Sequence, residues 1–188
     1  MTHMIASGRV YLRPFEPSDA ELYRRWRADA DPMSLAGWHH RAPMSLAEVE
    51  HRISKFVTDP SDDFVTFLIC LVEDDRPIGE AMLGSIDRRN GSAELGIFIG
   101  ESGEWGKGYG TDAVNAITDF GFAELRLERI WLNVWTENPR AQRAYEKAGF
   151  RHEGSLRDAA FVHGGRDDQL VMGLLAGELI EEEEAPQR

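Results

Sequence analysis

Residues 105–111 read WGKGYGT, with a glycine at every second position from Gly106 to Gly110. An apolar run ends just before this stretch, and a run with helical apolar spacing begins near Thr111. Glycines let backbone N–H groups approach an anion closely, and a helix N-terminus adds unsatisfied donors and a favourable dipole. Lys107 can add a positive charge. The stretch therefore predicts a phosphate-binding turn between a strand and a helix, although an ordinary turn can have the same spacing.

A second stretch, residues 138–150, reads NPRAQRAYEKAGF. Asn138 and Pro139 are typical of the start of a helix, and Gly149 is typical of its C-terminal cap. One stripe of this predicted helix carries Ala141, Ala144, Tyr145 and Ala148. From the residues alone, Tyr145 on that stripe is either a core side chain or a group that faces a cavity.

The remaining elements are predicted from apolar periodicity and from turn residues. Capping boxes at 18–21 and 45–48 predict two helices, and a third helix is predicted at 111–125. Predicted strands cover residues 10–14, 64–72, 78–86, 93–99, 130–135, 156–163 and 167–174. The predicted order is β-α-α-β-β-β-α-β-α-β-β, without an internal repeat.

The composition indicates a soluble, cytoplasmic chain of one domain. The 188 residues carry a net charge of −12, contain one cysteine and include no apolar stretch long enough to span a membrane. A single domain is expected over residues 1–180, followed by an acidic, disordered tail at 181–188. The acidic charge argues against a nucleic-acid partner and favours a cation such as an amine. A single cysteine excludes an intramolecular disulfide.

Together, the two stretches resemble the signature segments of the GNAT acyl-CoA-dependent N-acetyltransferases. Residues 153–175 are similar to the branch that contains ribosomal-protein N-terminal (Rim-type) and spermidine acetyltransferases, and the resemblance runs from about residue 9 to about residue 176. It implies an α/β (α+β) GNAT fold, with a mixed, mostly antiparallel, twisted sheet of about seven strands and about four flanking helices. It also implies transfer of an acetyl group from acetyl-CoA to a primary amine in a ternary complex. No metal cofactor is expected, since the residues offer no set of ligands at suitable spacing.

The resemblance further implies a coenzyme A site. Its backbone cradle for the pyrophosphate would be residues 105–111, and the pantetheine arm would lie beside residues 97–99. The implied coenzyme-binding residues are Ile97, Phe98, Ile99, Trp105, Gly106, Lys107, Gly108, Tyr109, Gly110, Thr111, Asn138 and Tyr145. Trp105 departs from the usual Gln or Arg at its position, which puts side-chain contacts there in doubt.

Two residues are expected to carry the chemistry. The resemblance implies that Tyr145 protonates the leaving thiolate. Glu94 lies within an apolar strand, where an unpaired carboxylate is costly to bury, so it is expected to face a cavity or a partner. Glu94 is either the base, which also contacts the acceptor amine, or a member of an ion pair with Arg88 or Arg129. Glu80 is the second candidate for the base.

The acceptor itself is left open among peptide N-termini, polyamines and other small amines. Trp38 and His39, in a region without clear periodicity, are expected to contact it, with Met44 as an apolar wall. A metal role for His39 and His40 lacks a third ligand at suitable spacing. Trp131 and Trp135 are expected in the core or at a dimer contact.

The chain is predicted to be a monomer or a homodimer, without a membrane partner. The alternative function is a non-catalytic acyl-CoA-binding sensor or partner-binding module on the same fold. A different acyl donor, such as succinyl-CoA, is a further open reading.

Overall fold

A computed structural model describes residues 5–29, 44–59, 61–162 and 165–178. The acidic residues 181–184 and the predicted acceptor residues Trp38 and His39 lie outside these ranges. Among the described residues, no helix is both long enough and apolar enough to cross a membrane.

Eight strands form one sheet. They are β1 (Ala6–Ser7), β2 (Val10–Arg13), β3 (Val65–Leu71), β4 (Pro77–Asp87), β5 (Ser92–Ile99), β6 (Arg129–Trp135), β7 (Arg151–Val162) and β8 (Gly165–Leu175). The α-helices of the described ranges are α1 (Ala20–Ala28), α2 (Leu46–Thr58), α3 (Tyr109–Ala123) and α4 (Pro139–Lys147).

The strands lie in the order β1-β2-β3-β4-β5-β6-β8-β7. Every neighbouring pair is antiparallel except β5 and β6, which are parallel. The predicted mixed, mostly antiparallel GNAT sheet is therefore confirmed. The added strand β1 has only two residues, too few to show an alternating pattern in the sequence.

Helices cover both faces of this sheet. Ile69 of β3 belongs to the larger apolar cluster, together with Val114 and Ile117 of α3. Its neighbour Leu68 belongs to a second cluster, together with Tyr23 of α1. Since successive side chains of a strand point to opposite faces, α3 and α1 lie on opposite sides of the sheet.

The start of α1 differs from the prediction. Glu16, rather than Ser18, caps a short 3-10 turn at Pro17–Asp19, and the backbone N–H of Glu16 donates to Asp19 Oδ2 at 2.7 Å. Arg13 donates to both carboxylate oxygens of Asp19 at 2.8 Å. This pairing keeps Asp19 buried and moves the capping box two residues towards the N-terminus, so the predicted box at 18–21 is wrong.

The second capping box is confirmed. The Ser45 N–H donates to Glu48 Oε2 at 2.7 Å, and the Glu48 N–H donates to Ser45 Oγ at 3.3 Å. Elsewhere most element bounds shift by one or two residues, but β7 begins at Arg151, five residues before the predicted position. Helix α3 begins two residues before the predicted position, because its first turn includes Tyr109 and Gly110 of the glycine-rich stretch.

Candidate active site

The strands β5 and β6 pair over only three positions. The last of these joins Glu94 to Trp131. Beyond it, β5 stays paired with β4 as far as Ile99, and β6 stays paired with β8 as far as Trp135. The two strands therefore separate in the middle of the sheet. Two cavities lie next to this separation.

The first cavity, of about 260 Å³, lies between the glycine-rich stretch, the end of β5 and α4. Gly108 has φ +91° and caps α3 without a side-chain hydrogen bond. The start of α3, residues 108–111, lines this space, and the first N–H groups of a helix have no partner within the helix. A Cβ added to Gly106 or Gly110 would meet no heavy atom within 4 Å. The backbone anion cradle that the sequence predicts at these residues stays a prediction.

Arg9 holds the glycine-rich stretch in shape. Its Nη1 donates to the Lys107 carbonyl at 2.8 Å, and its Nε donates to Asp112 Oδ2 at 2.9 Å. Its guanidinium also lies 4.7 Å from the centre of the Tyr109 ring. A side chain at Gly108 would collide with Arg9 Nη2 at 2.7 Å. No motif in the sequence pointed to Arg9, because its partners lie about a hundred residues away.

The charges around the first cavity differ from the prediction for Lys107. Its ammonium is 2.8 Å from Glu104, whose carboxylate also binds Arg76 at 2.9 Å. Both contacts lower the pKa of Glu104. Lys107 is not among the residues that line the cavity, and the cations that line it are Arg140, Arg143 and Lys147. None of these three has an ion-pair partner within the described part of the chain, so the cavity has an excess of positive charge that suits a phosphate.

Trp105 is anchored to both walls of the first cavity. Its indole N–H donates to the Ile99 carbonyl at 2.9 Å, and the Arg140 guanidinium lies 4.0 Å from its ring centre. A tryptophan at this position therefore joins the end of β5 to α4 and holds a cation at the cavity.

The second cavity, of about 300 Å³, lies between the separated ends of β5 and β6. It contains Glu94, Met82, Gly96, Asn133, Trp135 and Gln169. Five residues line both cavities, namely Ile97, Phe98, Asn138, Ala141 and Tyr145. The two spaces therefore meet at one side of α4.

Tyr145 is the ionisable side chain at this meeting point. It is 8% exposed, and burial raises its pKa to about 12, so the hydroxyl carries its proton at neutral pH. Asn138 positions the helix that carries it, because Asn138 Oδ1 accepts a hydrogen bond from the Ala141 N–H at 3.2 Å. Tyr145 packs against Phe150 in the core and also borders both cavities. It is therefore both a core side chain and a group that faces a cavity.

Glu94 is half-buried in the second cavity. Burial raises the pKa of its carboxyl above the ordinary value of 4.5, and a side-chain hydrogen bond with Asn133 partly offsets this rise. The ion-pair alternative is wrong: Arg88 lies 3.5 Å from Asp62, and Arg129 donates to Glu153 at 2.6 Å.

Glu80, the reserve candidate for the base, is engaged elsewhere. Its carboxylate binds Arg27 at 2.9 Å, the Tyr23 hydroxyl at 3.0 Å and the Thr66 hydroxyl at 3.1 Å. With both oxygens occupied, it is a poor proton acceptor compared with Glu94.

Asn133 was not predicted as a site residue. It is the polar residue between Trp131 and Trp135 on one face of β6, which is the signal in the sequence that could have indicated it. Its Oδ1 is buried and accepts no hydrogen bond from the described residues. Trp135, which was expected in the core or at a dimer contact, lines the second cavity instead. Trp131 is half-buried on the same face of β6.

Two cavities that meet at a protonated tyrosine suit an enzyme that brings two substrates together, one of them carrying phosphate. The comparisons with known proteins give the family. The model described as "Acetyltransferase (GNAT) domain" matches residues 9–151. The chain belongs to this family, whose members are acetyl-CoA-dependent acetyltransferases.

Individual relatives agree with this assignment. The spermidine N(1)-acetyltransferase of Vibrio cholerae is 30% identical, with 95% of this chain and 99% of the relative covered. The uncharacterized N-acetyltransferase p20 of Bacillus licheniformis is 30% identical over 90% of this chain and 94% of the relative. A crystal structure of the Vibrio cholerae spermidine N-acetyltransferase with CoA and spermine has a TM-score of 0.81 and 28% identity, with 92% of this chain and 98% of that chain covered.

These matches confirm the predicted enzyme class, co-substrate and fold. They also confirm the resemblance to the spermidine acetyltransferase branch, and a ribosomal N-acetyltransferase type is represented among the matches.

Proposed function

We propose that the chain transfers the acetyl group of acetyl-CoA to a primary amine by direct attack while both substrates are bound. The observation that carries this proposal is that the two cavities share Tyr145. A donor in the first cavity and an acceptor in the second would bring a thioester and an amine to the same side chain. Positioning of this kind lowers the barrier because the reactants no longer have to find each other.

The first cavity would hold coenzyme A. Backbone amides of residues 105–111 and the start of α3 would bind the pyrophosphate, and Arg140, Arg143 and Lys147 would add positive charge. The pantetheine arm would lie along Ile97, Phe98 and Ile99, where β5 no longer pairs with β6. Asn138 would contact the arm near the head of α4.

The second cavity would hold the acceptor amine. The Glu94 carboxylate and the unpartnered Oδ1 of Asn133 are both hydrogen-bond acceptors, and an ammonium group has only donors to offer. The raised pKa of Glu94 favours its role as the base that takes a proton from the ammonium. Trp38 and His39 stay predictions for the acceptor site, since they lie outside the described residues.

The proposed reaction conserves atoms and charge. After Glu94 has taken one proton, the amine nitrogen attacks the thioester carbonyl and forms the new C–N bond. Backbone N–H groups of β5 that do not pair with β6 can stabilise the oxyanion. The C–S bond then breaks, and Tyr145 gives its proton to the departing thiolate. The new amide nitrogen carries one surplus proton, which restores the Tyr145 hydroxyl, and Glu94 releases its proton to water. Cys70 is buried in the second apolar cluster and lines neither cavity, which supports direct transfer over an acetyl-cysteine intermediate.

An acceptor screen tests the proposal. Release of free thiol from acetyl-CoA would be followed with peptides that begin with Ser, Ala or Met, with simple alkylamines, and with polyamines including spermidine. At least one amine should give thiol release that depends on both substrates, with an acetylated product of the expected mass. Coenzyme binding without turnover across the whole panel would contradict the proposal and favour the non-catalytic module. Monomer or homodimer, and a cytoplasmic location, stay predictions.

A further inference from the structure

Glu80, which lines the second cavity, belongs to a buried ion pair. Glu80 is 2% exposed yet lines this cavity, and the Arg27 side chain is 4% exposed. Arg27 Nη2 lies 2.9 Å from Glu80 Oε2, which also accepts the Tyr23 hydroxyl at 3.0 Å. Thr66 donates to the other oxygen at 3.1 Å. The carboxylate is therefore paired with a cation, and both of its oxygens accept hydrogen bonds.

Aromatic rings hold Arg27 in place. Its guanidinium lies 4.6 Å from the centre of the Tyr23 ring and 5.5 Å from that of Phe98, a residue that lines both cavities. Burial and the neighbouring Glu80 raise the pKa of Tyr23, whereas the Arg27 and Arg52 cations oppose this rise. Among the described residues, the Glu80 carboxylate on this side of the cavity has the buried Arg27 cation as its partner.

The two glutamates of the cavity stand far apart. In the sheet register, Glu80 is beside Phe98, and Glu94 lies four residues earlier on β5. At about 3.3 Å per residue the separation along the strand is roughly 13 Å. Gly96 lies between them, and the Met82 methyl carbon is 2.5 Å from the place that a Cβ on Gly96 would take. Along β5 the cavity therefore offers one uncompensated carboxylate, then a thioether, then a neutral ion pair.

We propose that Arg27 sets the charge selectivity of the acceptor site. By neutralising Glu80, it leaves Glu94 as the one described carboxylate of the cavity that is free to bind an ammonium group. The site then prefers an amine with a single ammonium and an apolar body over a diamine of the same length. This inference rests on the proposed function and narrows its acceptor.

The physical reason is the environment of the distal group. An alkyl chain that extends from Glu94 lies against Met82 and Phe98, where apolar contact is favourable. A second ammonium at its far end would leave water for a region that already contains the paired Arg27 cation. Burying a charge without a counter-charge is strongly unfavourable. Arg27 thus acts on the acceptor through Glu80 and is a positioning residue, not a catalytic one.

Octylamine and the α,ω-diaminooctane of the same length test this selectivity. Wild-type enzyme should favour the monoamine in kcat/KM by at least about tenfold, the scale of one charge without a partner. Arg27→Met removes the cation and releases the Glu80 carboxylate, and should move the ratio towards the diamine by about tenfold. Arg27→Lys keeps the cation and should keep the wild-type preference.

Two further variants test the role of Arg27 if the single variant Arg27→Met does not fold. Glu80→Gln leaves the Arg27 cation uncompensated, and should raise the KM of both amines while the KM of acetyl-CoA stays within about twofold. The double variant Arg27→Met with Glu80→Gln is neutral again, and should return the amine KM values and the ratio towards wild type. If the Arg27–Glu80 pair were purely structural, the variants would change the stability of the protein. The KM of the amines would then not rise in Glu80→Gln and return in the double variant.

The outcomes separate the two proposals. If wild-type enzyme acetylates amines but the monoamine-to-diamine ratio is the same in every folded variant, or if wild type prefers the diamine, the role of Arg27 is refuted and the proposed function stands. If wild type binds coenzyme A and acetylates no amine of the panel, the proposed function fails and this inference fails with it.

Discussion

Glu94 and Trp131 form the last residue pair that joins β5 to β6. The same strands continue for several residues after this pair, each held by a different neighbour. The proposed base therefore stands where the sheet opens, with its carboxylate in the second cavity and the unpaired edge of β5 leading to the first. This single change in strand pairing places Glu94, the proposed pantetheine groove and Tyr145 around one space.

Tyr145→Phe tests the proposed acid. Loss of the hydroxyl should lower kcat by roughly a hundredfold, within the range of general acid–base catalysis, because the thiolate would leave without a proton donor. The dissociation constant of coenzyme A should stay within about twofold, since the ring still fills its place beside Phe150. Thiol-release kinetics and calorimetry measure the two quantities. An unchanged kcat would remove Tyr145 from the mechanism.

Glu94→Gln tests the proposed base through the pH dependence of the rate. A carboxyl acts as a base only when deprotonated, and burial raises the pKa of Glu94 above its ordinary value of 4.5. Wild-type activity should therefore fall as the pH drops through this raised pKa. Glu94→Gln should be slower at every pH and lose this acidic limb.

Glu94→Asp is the matched control for that profile. It keeps the carboxylate, so the acidic limb should persist at a lower rate. If the Gln variant keeps the same acidic limb as wild type, the titrating group is not Glu94.

Gly110→Ala separates coenzyme binding from stability. Gly110 lies in the first turn of α3 and lines the first cavity, where an added Cβ meets no protein atom. Alanine should stabilise the helix, by up to about 1 kcal/mol, while it occupies space proposed for the pyrophosphate. The expected result is an equal or higher Tm together with coenzyme affinity that is weaker by about tenfold.

Gly103→Ala is the matched control, because its Cβ also meets open space but Gly103 does not line the cavity. Its coenzyme affinity should equal that of wild type. Equal affinities for the Gly103 and Gly110 variants would place the phosphates elsewhere.

Arg9→Ala tests how the phosphate-binding stretch is held in shape. Arg9 is 55% exposed in its side chain, so its loss should change the Tm little, whereas the Lys107 carbonyl and Asp112 would lose their contacts. Coenzyme affinity should fall several-fold. Arg24→Ala, which removes a comparable surface ion pair with Glu21, should leave affinity unchanged. Equal affinities in the two variants would show that the stretch holds its shape without Arg9.

The order of elements and the glycine-rich stretch could be predicted from the sequence because both depend on local features. Alternating apolar residues, capping residues and closely spaced glycines can each be recognised in the sequence within a few neighbouring positions. Ser45 and Glu48, for example, form their capping box within one helical turn. The same locality allowed Glu94 to be selected, as a carboxylate inside an apolar strand.

The parts that could not be predicted depend on distant pairings. The contacts of Arg9 with Asp112 and of Arg27 with Glu80 join residues that are more than fifty positions apart, and no spacing rule connects them. Glu80 has the local sequence features of a candidate base, and its distant partner Arg27 makes it a poor one. The alternative of an ion pair for Glu94 failed for the same reason, because Arg129 has Glu153 as its partner across the sheet.

Initial-rate kinetics with both substrates varied test the central claim most directly, because the claim is that donor and acceptor occupy meeting cavities at the same time. Rates would be measured over a grid of acetyl-CoA and amine concentrations with the best acceptor from the screen. Double-reciprocal lines should intersect, as a ternary complex requires. Parallel lines, together with an acetylated enzyme detected by mass spectrometry in the absence of amine, would contradict direct transfer between the two cavities.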